Sequence, residues 1–461
     1  MHILENVKDF GAQGDGITRD DNAINQAIEQ SKYGIYFPEG EYIISNPIRL
    51  RSNLKIYGTV NTIVKIVDNA DESLFSVFVS EGSRKENIEI KNIIVDGNRS
   101  NNIQHGLPDA NGNQPPYWSG YINALINITN VSNITLLNLK ILNSWGSGIW
   151  ITNCLDVKVS DCIVRDYRIS GIAIRSNPDV CEDNDDIISS ENIIVSNNSC
   201  SGGVVGIHSI FGVKNVRIMN NYCFNNKDQN RFPLGYKGKY PKLYPDKEGF
   251  KDVLLDGYKS PAFEGDGAGI ELTGKYTQPK ANVNEQIIIT NNHCENNMVG
   301  IRSEEDTRHT IISNNMCVGN LTHGIFIFSS RFISINGNNC NNNGRTGITI
   351  EKLDKDIPNL GSTARPEQLI VTSNLIFRNA YYGIKLIGVW QCNISNNSLS
   401  GNNTSEQADG SEIGLFAIEE SNIETNLIIG NQFVSYDLRG KFGIYCPDES
   451  STRYSNIPTP S

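Results

Sequence analysis

His208, Glu271 and Arg302 each hold the third place of a recurring Gly-Ile phrase. Glu304 lies two residues after Arg302. A carboxylate can act as an acid, a base or a nucleophile, an imidazole exchanges protons near neutral pH, and a guanidinium binds anions. Two carboxylates on one surface can also hydrolyse glycosidic bonds. The sequence therefore predicts an acid–base site, provided that the fold brings these residues together.

The phrase that carries these residues returns along most of the chain and has the pattern of a β-strand. Its copies begin at Gly148, Gly171, Gly206, Gly269, Gly300, Gly324, Gly347, Gly383, Gly414 and Gly443. Inward apolar residues alternate with outward ones, which indicates a strand of period two. The copies at Gly148, Gly300 and Gly324 lie 23, 24 and 23 residues before the next copy. A fixed period with longer gaps is typical of a solenoid whose coils carry inserted loops.

Five of the ten cysteines follow the same repeat. They are Cys200, Cys223, Cys294, Cys317 and Cys340. Residues one coil apart would stack about 4.8 Å from each other across a parallel ladder. Short strands, apolar ladders and Asn at turns therefore predict an all-β fold, a right-handed parallel β-helix. Cysteines at one inward position are expected to be reduced and structural, because their spacing fits neither zinc nor redox motifs.

The N-terminal segment, residues 1–45, is expected to cap the solenoid. A strand is predicted at Val7–Phe10, followed by an amphipathic α-helix that Asp20 or Asp21 caps and that ends near Ser31. Such a helix would cover the apolar core that the open end of a solenoid exposes.

The β-helix is assigned to residues 46–446, and residues 447–461 are expected to form a frayed tail. Three inserted loops are predicted at about 100–120, 226–263 and 352–368. The second of these loops is the largest and carries many aromatic residues.

Outward residues of the Gly-Ile strands form two columns on one face. The first column contains Trp150, Ala173, His208, Glu271, Arg302, Phe326, Thr349 and Lys385. The second contains Thr152, Arg175, Ile210, Thr273, Glu304, Phe328, Glu351 and Ile387. Gly206 and Gly269 are 63 residues apart, and removal of the largest loop leaves a single coil between them. His208 and Glu271 are therefore predicted to be stacked neighbours.

Three acidic residues are the candidate catalytic groups: Glu271 and Glu304 as an acid–base pair, and Asp266 as a reserve acid. The backbones of the pair should lie about 8 Å apart, which allows either carboxylate separation used by glycosidases. The candidate substrate-binding residues are His208, Arg302, Arg175, Phe326, Phe328, Glu351, Trp150 and Tyr258. No metal ion or other cofactor is predicted. The same charged group could instead be a solvated salt-bridge cluster.

The run from Val7 to Ile44 and the phrase Val95-Asp96-Gly97-Asn98-Arg99 resemble the pectate lyase-like β-helix superfamily. This resemblance implies a parallel β-helix and a carbohydrate context, as in phage tailspikes, depolymerases and mannuronan C5-epimerases. Those epimerases carry an Asp-Pro-His phrase on a strand that would match Gly148 to Asn153. This chain has Ile149-Trp150-Ile151-Thr152 there, which argues against epimerisation. The polygalacturonase signatures and the calcium-binding acidic column of pectate lyases are also missing from the sequence.

The formal net charge of −11 and the pI near 5.2 argue against binding to nucleic acid or to an anionic membrane surface. No apolar run approaches the length of a membrane span, and the N-terminus does not resemble a signal peptide. The resemblance implies an extracellular or phage-particle location and a possible homotrimer.

Three functions remain open. The first is a glycoside hydrolase that cleaves a polysaccharide with the carboxylate pair. The second is a lyase or epimerase on a uronate polymer, with His208 as the base and Arg175 or Arg302 neutralising the substrate carboxylate. The third is a phage or surface protein that binds glycan without changing it.

Overall fold

The structure is a computed structural model of the 461-residue chain. It describes residues 4–71, 74, 76–102, 123–177, 189–227, 267–274, 283–304, 307–351, 366–405, 411–416, 427–433, 441–445 and 453–458.

The chain forms three long ladders of parallel strands, wound as a right-handed parallel β-helix. The first ladder contains the Gly-Ile strands: Ile48–Arg49, Phe78–Ser80, Ala124–Thr129, Ser147–Thr152, Ser170–Arg175, Val205–Ile210, Ala268–Thr273, Val299–Glu304, Ile325–Phe328, Thr346–Glu351, Tyr382–Ile387, Ser411–Phe416 and Lys441–Tyr445.

From Ile48–Arg49 to Tyr382–Ile387, each strand of the first ladder is followed by one strand of the second ladder and one of the third. The second contains Glu5–Asn6, Gly34–Tyr36, Leu54–Tyr57, Lys85–Lys91, Val131–Leu137, Leu155–Ser160, Glu191–Ser196, Lys214–Met219, Asn284–Thr290, Thr307–Ser313, Arg331–Asn336, Glu367–Thr372, Trp390–Ser395, Leu427–Phe433 and Arg453–Pro458. The third contains Asp15–Arg19, Gly40–Ile44, Thr62–Ile66, Ile94–Asp96, Lys140–Leu142, Ile163–Arg165, Ser199–Ser201, Tyr222–Phe224, His293–Glu295, Met316–Val318, Asn339–Asn341, Leu375–Phe377 and Ser398–Ser400.

The predicted capping helix is confirmed as Asp21–Gln30, with Ile24, Ala27 and Ile28 buried. Asp20 holds the N-cap position, but its carboxylate does not cap the helix. It accepts hydrogen bonds from the backbone N–H groups of Gln13 and Gly14, at 2.7 and 3.0 Å. The side chain therefore fastens the preceding turn to the start of the helix.

Two predicted boundaries are wrong. Val7–Phe10 forms a 3-10 helix where a strand was expected, with Asn6 accepting a hydrogen bond from Lys8 N–H. The tail expected after residue 446 contains Arg453–Pro458, which pairs with Leu427–Phe433 and extends the second ladder. Another 3-10 helix covers Arg99–Asn101. Within the described residues no helix is long and apolar enough to cross a membrane.

The interior contains columns in which identical side chains stack from coil to coil. The five repeat cysteines pair in register from Cys200 to Cys340 and are fully buried, as predicted. All eight described cysteines are free thiols. Ile residues of the Gly-Ile strands form a second inward column, because Ile149, Ile172 and Ile207 pair in register.

Buried asparagines form two further ladders at the coil corners. One contains Asn198, Asn221, Asn292, Asn315, Asn338, Asn374, Asn397 and Asn431. The other contains Asn226, Asn297, Asn320, Asn343, Asn379 and Asn402. Each side-chain amide donates to the Oδ1 atom of the next, so the polar groups of the corners are satisfied inside the fold.

Candidate functional site

The predicted outward columns lie in register on the first ladder. His208 pairs with Glu271, and Glu271 pairs with Arg302. Thr273 pairs with Glu304 on the same two strands as Glu271 and Arg302. The stacking of His208 on Glu271, predicted from the sequence, is therefore confirmed, although their chemical roles stay predictions.

Thr273 links the imidazole of His208 to the carboxylate of Glu271. The Thr273 hydroxyl donates to Glu271 Oε1 at 3.1 Å, and its oxygen lies 3.1 Å from His208 Nε2. Because the hydroxyl proton points to Glu271, His208 Nε2 must donate to Thr273. His208 Nδ1 is then the acceptor, and the Ser170 hydroxyl lies 3.3 Å from it. The network assigns one tautomer of a neutral imidazole, with its basic nitrogen at Nδ1.

Glu271 lies next to His208 in a protected setting. The His208 Nε2 and Glu271 Oε1 atoms are 3.9 Å apart. The side chains of His208 and Glu271 are only 13% and 10% exposed. A carboxylate at this distance stabilises the imidazolium that forms when His208 accepts a proton, and partial burial strengthens the attraction.

Arg302 and Glu304 form an ion pair on the next strand. Both the Nε and the NH2 nitrogens of Arg302 contact Glu304 Oε1. The two side chains are 11% and 16% exposed. The pair keeps the guanidinium on the same face as His208 and Glu271, which gives this face a cation next to an acid–base network.

An aromatic cluster lies beyond Arg302 on the first ladder. Phe326 pairs with Arg302 and is 8% exposed, while Phe328 is half-buried. The rings of Phe326 and Phe328 are 5.9 Å apart, and the buried ring of His323 stacks on Phe326 at 5.1 Å. Thr349 lies 2.9 Å from His323 Nδ1. Phe328 is therefore the more exposed of the two predicted aromatic contacts.

Trp150 does not fit its predicted role. Its side chain is 1% exposed and packs with Ala124, Ala173 and Ile210, and its Nε1 donates to Thr152 at 3.0 Å. A ring buried in this way cannot stack on a substrate, so the assignment of Trp150 to substrate binding is wrong.

Arg175 lies on the strand before His208 and is half-buried. Its guanidinium lies 5.5 Å from the ring centre of Phe211, an arrangement that holds a cation by its attraction to the aromatic face. Phe211 has φ of 54°, an unusual backbone conformation for a bulky residue.

The other predicted site residues are less informative. Glu351 is half-buried and pairs with Phe328. Asp266 and Tyr258 lie outside the described residues, as do most of the three predicted loops. Sequence reasoning missed Ser170, which contacts His208 from the preceding coil, and the bridging role of Thr273. Thr273 could have been found from its position two residues after Glu271 on the same strand.

Comparison with known proteins agrees with this architecture. The family model described as rhamnogalacturonase A/epimerase, pectate lyase-like, matches residues 4–231. The parallel β-helix extends beyond this match, through the candidate site and on to Arg453–Pro458. Residues 4–231 belong to the pectate lyase-like superfamily. A second model, described as periplasmic copper-binding protein (NosD), matches residues 260–357.

Two curated relatives match a part of the chain. Alginate lyase 7 of Azotobacter vinelandii is 35% identical over 131 residues, which is 25% of this chain and 14% of that protein. The pre-neck appendage protein of Bacillus phage phi29 is 32% identical over 113 residues, 23% of this chain and 13% of that protein. The matches thus span a small part of these relatives.

Solved structures share the fold over nearly the whole chain. The A-module of the Azotobacter vinelandii mannuronan C-5 epimerase AlgE6 has a TM-score of 0.62 at 16% identity, covering 99% of this chain and 100% of that one. Tailspike protein 3 of bacteriophage CBA120 has a TM-score of 0.59 at 15% identity, covering 98% and 61%. At these identities the likeness shows the fold alone.

Proposed function

We propose that this chain modifies a uronate-containing polysaccharide by removing the proton next to the sugar carboxylate. Elimination would break the neighbouring glycosidic bond and leave a carbon–carbon double bond, whereas epimerisation would return a proton to the opposite face. The observation that carries the proposal is the His208–Thr273–Glu271 network beside Arg302. Support comes from relatives named alginate lyase and mannuronan C5-epimerase.

The roles of the residues follow from their geometry. His208 would take the proton at Nδ1, after the Ser170 hydroxyl that lies 3.3 Å away has turned toward another acceptor. Glu271 would stabilise the resulting imidazolium through its 3.9 Å contact. Arg302 would bind the sugar carboxylate and stabilise the negative charge that develops when the proton leaves. Arg175, one coil before His208, is a second candidate for binding the sugar carboxylate and stabilising this negative charge.

Hydrolysis is a second candidate function. Glu271 and Glu304 lie on paired strands of one face, which is the observation that favours it. Against a direct role as acid–base pair, Glu304 is bound to Arg302 and the Glu271 side chain is only 10% exposed. Binding without chemistry is the third outcome of the tests, as for a phage appendage. The same proposal places the chain outside the cell or on a phage particle, and a homotrimer stays a prediction.

Incubation with alginate, polygalacturonate and a neutral glucan separates these functions. Unsaturated ends or altered uronate configuration, detected by absorbance and NMR, would support proton abstraction, and new reducing ends without unsaturation would support hydrolysis. His208→Gln should abolish the product. The matched control is His293→Gln, because His293 also contacts a glutamate, Glu295 at 3.6 Å, but lies on the third ladder. Equal loss in both variants would contradict the proposal.

A further inference from the structure

On eleven coils the second-ladder strand has one residue with left-handed backbone at its start, and these residues form a corner column. On six successive coils the residue is Asn or Asp, with φ between 49° and 60°: Asn53, Asn87, Asn133, Asp156, Asn192 and Asn215. On the next five coils φ stays between 49° and 59°, but the residues are Gln286, His309, Phe332, Gln368 and Gln391. The backbone conformation is the same in both halves of the column, but the side chains change from Asn and Asp to Gln, His and Phe.

The first half of the corner column is explained by backbone preference. Asn and Asp tolerate this conformation, and their side chains hydrogen-bond along the column. Asn133 donates to Asn87 and Asn215 donates to Asn192, both at 2.7 Å. Histidine is also enriched in this conformation, glutamine is not, and a bulky aromatic residue there is an outlier. The second half is therefore strained above all at Phe332, where asparagine would fit better.

The change from one half to the other coincides with the candidate site. It falls between Asn215 and Gln286, which is the coil step that separates His208 from Glu271. Phe332 follows Phe328 by only four residues, so the corner borders the face that carries the aromatic cluster. The residues of the second half thus lie beside the site and on its C-terminal side.

The second half presents stacked, accessible groups. The rings of His309 and Phe332 are 5.0 Å apart and nearly parallel, at 20°. The His309 side chain is 52% exposed, and its Nδ1 lies 3.1 Å from Glu285 Oε1. Gln286, Gln368 and Gln391 are exposed. Amides and imidazole can hydrogen-bond to hydroxyl groups, and aromatic rings pack against apolar faces.

We propose that these five residues, Gln286, His309, Phe332, Gln368 and Gln391, form a polar rail that binds the uncharged hydroxyl and C–H faces of an extended polysaccharide. One coil rises about 4.8 Å, so the rail spans about 19 Å along the axis, room for several sugar units beyond the reacting one. The rail rests on the proposed function, because it guides the polymer whose carboxylate Arg302 receives. The strained backbone at Phe332 would then serve to present its ring to the ligand.

The double variant His309→Asn/Phe332→Asn tests the rail, because asparagine suits the backbone but removes both rings. Calorimetry with alginate should show the dissociation constant rising about threefold to tenfold for each ring removed. The thermal midpoint should stay the same or rise, since strain is relieved. Tyr222→Asn, which removes an exposed ring of the third ladder, is the control and should leave the affinity unchanged.

The outcomes are distinguishable. Unchanged affinity in the double variant overturns the rail, as does an equal loss of affinity in Tyr222→Asn. A lower thermal midpoint together with unchanged affinity in the double variant would show that the rings only stabilise the corner. If the unaltered chain neither binds nor changes alginate, the proposed function fails and takes the rail with it.

Discussion

The imidazole of His208 and the carboxylate of Glu271 lie 3.9 Å apart although 63 residues separate them in the chain. The solenoid accounts for this closeness, because the two residues hold the same place on paired strands. Thr273 completes the contact from the strand of Glu271. Parallel pairing therefore builds an acid–base network from residues that are distant in sequence.

Thr273 should matter for turnover because its hydroxyl fixes both partners. Thr273→Val removes two hydrogen bonds and leaves the Glu271 carboxylate without this donor, so kcat should fall about tenfold to hundredfold. Thr273→Ser keeps the hydroxyl and should restore most of the rate. Steady-state kinetics on alginate measures both, and full activity in Thr273→Val would contradict the proposed network.

Glu304→Gln separates proton abstraction from hydrolysis. If Glu304 only holds Arg302, the variant should keep kcat within about tenfold, and KM for an anionic polymer should fall because Arg302 is freed from its carboxylate partner. An acid–base role of Glu304 in hydrolysis predicts a loss of about 10²–10⁴ instead. Glu367→Gln, which breaks the Arg331–Glu367 contact of 3.6 Å on the second ladder, is the control.

Tyr167 should stabilise the end of one asparagine ladder. Its fully buried hydroxyl donates to Asn226 Oδ1 at 2.5 Å, where the preceding coil offers no asparagine of that ladder. Tyr167→Phe leaves this oxygen buried without its donor, so the free energy of unfolding should fall by about 1–3 kcal/mol. Denaturant titration tests this. Tyr222→Phe removes an exposed hydroxyl and should change stability by no more than about 0.5 kcal/mol; a similar loss in both would count against the ladder argument.

Three buried thiols outside the five-cysteine column should make stability fall at alkaline pH. Burial raises the pKa of Cys154, Cys162 and Cys392 to about 12, from an ordinary value of 9.0. Above pH 9 the unfolded chain releases these protons while the folded chain keeps them, so the stabilisation present below pH 9 is progressively lost as the pH rises toward 12.

Thiol labelling tests directly whether these thiols are buried in the folded protein. In a variant with Cys181 and Cys446 replaced by serine, the remaining thiols should resist a maleimide at pH 9 in the folded protein and react once urea unfolds it. Rapid labelling of the folded protein would show that the stack is open to solvent.

The register of the fold was predictable because its signals are local and repeated. Glycine, isoleucine and cysteine return at coil spacing, and this spacing predicts that His208 stacks on Glu271 once the largest loop is removed from the 63-residue gap between Gly206 and Gly269. The burial of Trp150 was not predictable, because an outward position can still be covered by apolar neighbours such as Ala124 and Ile210. Periodicity tells which face a side chain takes, and it does not tell what covers that face.

Residue-type preferences also failed to predict the backbone conformation of several residues. Phe211 and Phe332 adopt left-handed backbone that sequence rules assign to glycine, asparagine or aspartate. Val7–Phe10 was predicted as a strand but forms a 3-10 helix, since Asn6 accepts a hydrogen bond from Lys8 N–H and Gly11 ends the turn at φ of 102°. The strand period places Thr273 beside Glu271, but no residue pattern encodes the direction in which its hydroxyl points.

Deuterium incorporation tests the central claim most directly. Alginate is incubated with the protein in D₂O, and NMR follows the hydrogen next to the uronate carboxylate together with unsaturated ends. Loss of that hydrogen, by exchange or by elimination, is the predicted result, abolished in His208→Gln and retained in His293→Gln. New reducing ends with the hydrogen fully retained, or unchanged loss of the hydrogen in His208→Gln, would contradict the account.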